Sequence, residues 1–156
     1  MTTICRFTFA LLAISGLVAG AVAPADARTY VKADAAQQNS FSISVATEGG
    51  KTIWLGGQTG AVDDAGHSHA GDFEWQARQV IKRLRETMEK NGGTLADIVQ
   101  MTVFITDVRD GRTWIKVRKE AFGDNFPGSA LITVSALQSP NAKIEVQAYG
   151  VIGDKK

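Results

Sequence analysis

With 156 residues, 44% of them hydrophobic, and a formal net charge of +1, the chain is sized for one compact domain with a real core. Its charges are interspersed and form no basic block, so charge gives no support to a nucleic-acid partner bound through phosphate neutralisation. Cys5 is the only cysteine, and it lies ahead of the first apolar run.

Residues 1–27 read as a signal peptide. Arg6 supplies a positive start, Phe7 to Ala23 is apolar, and Ala25-Asp26-Ala27 gives the small-x-small pattern that signal peptidase accepts. Arg28 is then the first mature residue. A cut after Ala21-Val22-Ala23 is the alternative and is less favoured, because it places Pro24 first. The apolar run falls a little short of the ~20 residues a spanning helix needs. The mature chain is therefore expected to be exported to the periplasm and free of the membrane. Cys5 leaves with the signal, which excludes a cysteine nucleophile, a thiolate metal site and a disulfide.

Residues 28–40 are polar and weakly patterned, and predict an extended lead-in. Residues 41–152 form the domain and 153–156 a tail. Phe41, Ile43 and Val45 alternate with Ser42, Ser44 and Ala46, a first strand. Glu48-Gly49-Gly50-Lys51 is a turn, and Thr52 to Leu55 a second strand that ends at Gly56-Gly57-Gln58. Paired glycines there mark a place where backbone or ligand comes close. His67 and His69 fall in a loop; without a cysteine or carboxylate cluster to complete a shell, the loop reads as solvated and no metal site is expected.

Asp72 caps a long helix running to Asn91, stopped by Gly92-Gly93. Phe73, Ala77, Val80, Ile81, Leu84 and Met88 form its apolar stripe. Val99 to Thr106 is a third strand, and Arg112 to Phe122 a second helix with Trp114, Val117, Arg118 and Ala121 near one face. Phe126 to Ile152 then supplies two strand-like runs. In the first, Ala130, Ile132, Val134 and Ala136 oppose Leu131, Thr133 and Ser135. In the second, Ile144, Val146, Ala148 and Gly150 oppose Glu145, Gln147, Tyr149 and Val151. The first set of each run is read as the dry face that packs helices. The opposite face, carrying Glu145, is too apolar for open water and too polar for a core, as subunit interfaces are. The element order predicts an α+β fold with a mixed sheet and two helices on one face.

That order, with Gly57-Gln58, the run Leu95-Ala96-Asp97-Ile98-Val99, Thr102 to Asp107, Phe126-Pro127 and Lys143-Ile144-Glu145-Val146, resembles the RidA/YjgF family from about Phe41 to Ile152. The resemblance implies a chorismate-mutase-like homotrimer, a sheet of six-stranded type, and pockets between neighbouring subunits. It implies hydrolysis of enamines and imines without a cofactor, with Glu145 positioning water as the catalytic residue and Gly57 binding substrate. The family's carboxylate-binding arginine falls on Ser129, its pocket tyrosine on Phe41, its cysteine on Leu131, and a helix asparagine near Ile115 or Lys116. These are the candidate substrate-binding positions, with Lys116 or Arg118 on the second helix as the cations that could stand in for the lost arginine. Loss of that arginine forfeits on the order of 1.5–3 kcal/mol of carboxylate binding. Two functions follow from the sequence: an imine or enamine hydrolase, and a non-catalytic trimer holding an apolar or neutral small molecule in a pocket made greasier by Phe41 and Leu131.

Overall fold

Alternating side chains along Ile144–Ile152 set one face of a strand dry, and the chain builds its core on that face. The computed structural model describes residues 28–153. The predicted signal peptide, and the tail beyond Gly153, lie outside them. In chain order the elements are β1 (Arg28–Val31), α1 (Asp34–Gln38), β2 (Ser44–Thr47), β3 (Lys51–Thr59), α2 (Phe73–Lys90), β4 (Ile98–Ile105), α3 (Gly111–Phe122), β5 (Gly128–Thr133) and β6 (Ile144–Ile152). Single 3₁₀ turns at Leu95–Asp97 and Val108–Asp110 precede β4 and α3.

The architecture is α+β with a mixed sheet. β3, β6, β4 and β5 lie side by side in that order; β4 and β5 run parallel and the other neighbours antiparallel. β1 and β2 form a separate antiparallel hairpin. The expected six strands are therefore divided four and two, joined by a parallel bridge from Ser42 to Gly128. The hairpin crosses one end of the sheet. Lys32 Nζ donates to Asp124 O and Asn125 Oδ1 in the loop ahead of β5, while Arg28 reaches the end of β6.

Three local expectations are corrected here. The 28–40 segment is not simply extended, because β1 finds a partner in β2 and Ala36 on α1 is buried. The strand expected from Phe41 begins at Ser44, since Ser40 adopts φ 60° and turns the chain. The β5 faces are reversed. Ser129 stands opposite Met101 and Leu131 opposite Val103, both fully buried, so Ser129 and Leu131 face the helices. Ala130 and Ile132 share the open face with Thr102 and Phe104. Alternation fixed the two sets but could not say which was inward, because both carry apolar residues.

α2 follows its predicted stripe. Asp72 accepts from the Trp75 N–H at 3.0 Å, and Gly92 ends the helix at φ 86°. Val80, Leu84 and Met88 are buried against Ile53, Leu55, Met101, Val103, Val146 and Ala148. Each such side chain contributes roughly 1.5–3 kcal/mol on burial. Gln76, fully buried on the same helix, donates to His69 O and Asn141 O and accepts from the Lys143 N–H, tying two loops to α2.

Arg28 is held in place by its surroundings. Its guanidinium donates to Ala96 O at 2.7 Å, Val151 O at 2.9 Å and Asp97 Oδ1 at 3.3 Å. Burial pushes the Asp97 carboxyl up, but the Thr94 N–H, the Thr94 hydroxyl and Arg28 outweigh it and hold the group below its ordinary 3.8. A depressed folded value means stabilisation present above 3.8 and lost as pH falls through the lower folded value. Arg28→Ala is expected to cost on the order of 2 kcal/mol at neutral pH by urea unfolding. Its deficit relative to the parent should narrow in acid, and a deficit constant through that range would remove Asp97 as the relevant partner.

Candidate active site

β3 slips in its ladder with β6 between Leu55 and Gln58, and Gly57 lies in that irregularity. A Cβ built on Gly57 would stand 2.0 Å from Glu145 Oε1 and 2.9 Å from Glu145 Cδ. The close approach that paired glycines signal is thus made by the Glu145 carboxylate. Glu145 is half-buried, and its side chain makes no hydrogen bond or ion pair with any described residue. A carboxylate so placed keeps all its lone pairs for water or ligand.

The surface around it is the open sheet face. Glu145 stands opposite Phe104, and Phe104 opposite Ile132. Trp54, 76% exposed, packs edge-on to Tyr149 with ring centroids 5.0 Å apart. Large exposed aromatic and aliphatic side chains here leave this face apolar yet uncovered.

A cavity lies on the helix side of the sheet edge. Asn39, Phe41, Ile115, Arg118, Ser129 and Leu131 line this cavity of about 270 Å³. Phe41, Ser129 and Leu131 are thereby brought together. Lys116 is not among the lining residues; it lies 3.5 Å from Glu74 on the outer side of α3. The cation in the cavity is Arg118. It is only 2% exposed, its Nη1 donates to Ser129 Oγ at 2.6 Å and its Nη2 to Asn39 O at 2.6 Å. Its Nε is buried without a hydrogen-bond partner, and it forms no ion pair with a described residue. Its carbon Cζ lies 5.7 Å from the Trp114 ring centroid, a cation–π contact. Burial pulls the guanidinium down to about 10, so it remains a cation at neutral pH.

Local structure explains how this side chain is presented. Trp114 and Arg118 are one helical turn apart, so Arg118 falls on the buried stripe of α3. Ser40, also buried, holds a left-handed backbone at φ 60° and donates its hydroxyl to Ile115 O at 3.1 Å. A non-glycine residue there costs about 1–2 kcal/mol and marks a segment fixed by its surroundings. That segment presents the Asn39 carbonyl and the Phe41 ring. Asn39 and Ser40 had no signal in the sequence; Arg118 had one, as a charged residue within an apolar helical stripe.

Within one chain the Gly57–Glu145 pair and the Arg118 cavity lie on opposite faces of the sheet, β6 and β5 being separated by β4. They are two separate features of the chain, not one site. The histidine loop is distinct from both. His67 Nδ1 and His69 Nε2 lie 3.0 and 3.6 Å from Asp63 Oδ2, and His69 stacks on Trp75. The His67 backbone N–H holds the Asp63 carboxyl down to about 2. Among the described residues no group of three or more such side chains could hold a metal ion.

A family model described as Endoribonuclease L-PSP matches residues 32–152. The human 2-iminobutanoate/2-iminopropanoate deaminase is 30% identical over 66% of this chain and 74% of its own. A RutC family protein of Pyrococcus abyssi is 30% identical over 67% of this chain and 82% of its own. Among solved structures, a Rid family protein of Yersinia pestis superposes with a TM-score of 0.72 at 22% identity, covering 81% of this chain and 99% of that one. RidA from an Antarctic Psychrobacter gives 0.61 at 26% identity, over 72% and 89%. The match across nearly all the described residues, in sequence and in fold, establishes that the chain belongs to the RidA/YjgF family, whose model bears the Endoribonuclease L-PSP description.

Proposed function

We propose that the protein is a cofactor-free hydrolase of small imines or enamines, working in a cleft completed by a neighbouring copy of itself. The observation that carries this reading is the Glu145 carboxylate, laid over Gly57 without a partner on an uncovered, half-apolar sheet face. Relatives named as 2-iminobutanoate/2-iminopropanoate deaminases give it a reaction. In a homotrimer, the Glu145 half-site of one copy would face the Phe41–Ser129–Leu131 cavity of the next. Glu145 takes a proton from water as the oxygen adds to the imine carbon, then returns it to the departing nitrogen. The C=N bond is exchanged for C=O and ammonia leaves, so atoms and charge balance without a metal or redox partner. The Gly57 backbone lines the substrate's approach.

RNA is not proposed as a substrate, because charges are interspersed and the net charge is only +1. The neutral-ligand alternative is disfavoured by the cation inside the cavity. Export to the periplasm belongs to the same proposal and rests on Arg6, the Phe7–Ala23 run and Ala25-Asp26-Ala27.

The deciding measurements are ammonia release from 2-iminobutanoate generated in situ, compared with Glu145→Gln, and the mass of the protein in solution. A mass three times that of the chain is expected. A monomer with full turnover would sink the composite cleft, and turnover untouched in Glu145→Gln would remove the carboxylate from the chemistry.

A further inference from the structure

We infer that Arg118, presented from α3 and steadied by Ser129 and Asn39, is the anion receptor of this cavity, so that the ligand it takes is a small carboxylic acid. This deepens the reading just given for the same cavity, and it is tested by binding rather than turnover so that each can fail alone.

A buried guanidinium ordinarily meets a carboxylate, because an unpaired charge out of water is costly. Arg118 meets none. Its neighbours are a hydroxyl, one backbone carbonyl and the face of Trp114, and its Nε has no hydrogen-bond partner. The desolvation left uncompensated is what draws its pKa down, with no acidic group opposing it. Such a cation is a charge prepared for a ligand rather than for the fold.

The walls define the rest of that ligand. Phe41, Ile115 and Leu131 are apolar and give no acceptor or donor for a polar tail. The cavity, at about 270 Å³, lies just under the roughly 300 Å³ at which drug-sized pockets begin. A short aliphatic acid fits this description: carboxylate on the guanidinium fork, alkyl chain against the ring and the aliphatic side chains. The neutral Ser129 hydroxyl is the group such a carboxylate would displace or share on Nη1. The position where the family resemblance places a strand arginine is thus served by a serine that holds a helix arginine, and the positive charge enters the pocket from another element.

Calorimetric titration of the full oligomeric protein with 2-oxobutanoate and with 2-butanone tests this. The two probes differ only in that a methyl group in 2-butanone replaces the carboxylate. The parent is expected to bind the keto acid at least tenfold more tightly than the ketone. Arg118→Met should weaken keto-acid binding about ten- to a hundredfold and leave ketone binding unaltered. Arg118→Lys should recover part of it, since a point charge replaces a fork. Thermal stabilisation of the parent by 2-oxobutanoate but not by 2-butanone is the readout that holds even if Arg118→Met fails to fold. Equal binding of the two probes, no keto-acid binding at millimolar concentration, or keto-acid binding untouched in Arg118→Met would each overturn the assignment. Selective binding with no imine turnover would leave the receptor standing and remove the reaction; turnover without selectivity would do the reverse.

Discussion

Glu145→Gln and Gly57→Ala are expected to lose imine hydrolysis to the same extent, about 10²–10⁴-fold in kcat, while remaining folded. The first replaces the proton acceptor by an amide of equal size. The second leaves the carboxylate intact but puts a methyl group where it rests, 2.0 Å from Oε1. Because the crowded atoms are the far end of a flexible side chain, the carboxylate swings away at little cost to the fold. Gly57 has no left-handed φ to protect, so alanine strains no backbone. The agreement between the two variants is the informative result. If Gly57→Ala kept full turnover at the parent's melting temperature, the resting position of Glu145 would have no part in the reaction.

Trp114→Ala is expected to cost about 3–5 kcal/mol, the usual range for removing a fully buried tryptophan. Its ring is 0% exposed, within the cluster that joins α3 to Met101, Val103 and Ile105 of β4. Loss of the ring would also strip the cation–π support from Arg118. Chemical denaturation should therefore report the fold deficit, and keto-acid affinity measured below the unfolding transition should fall with it. Normal affinity in a destabilised Trp114→Ala protein would confine the ring's role to packing.

The fold was legible in the sequence where independent signals agreed. Asp72, the stripe from Phe73 to Met88, and Gly92 gave α2 nearly to the residue, because a cap, a helical period and a stop agree there. β6 was equally plain, with Ile144, Val146 and Ala148 on one side and Glu145 and Gln147 on the other. β5 was not, since Ala130–Ile132 and Leu131–Thr133 are both plausible inward sets and only the register with β4 chooses. The lead-in was missed for a related reason: Arg28–Val31 has no strand signature until Ser44–Thr47 lies beside it. Of the site, Gly57 and Glu145 were readable as a glycine pair and a lone carboxylate on a strand. Phe41, Ser129 and Leu131 came from the resemblance. The choice between Lys116 and Arg118 needed three dimensions, because it turns on which side of α3 faces β5: Lys116 reaches Glu74, and Arg118 reaches Ser129.

Arg28 carries an implication for processing. A peptidase that cut directly before it would release an N-terminus whose very first side chain is already stapled to Ala96, Asp97 and Val151. Trimming by a single further residue would discard that staple. Were the cut to fall there, the small residues ahead of it and the grip on the residue after it would mark the same boundary.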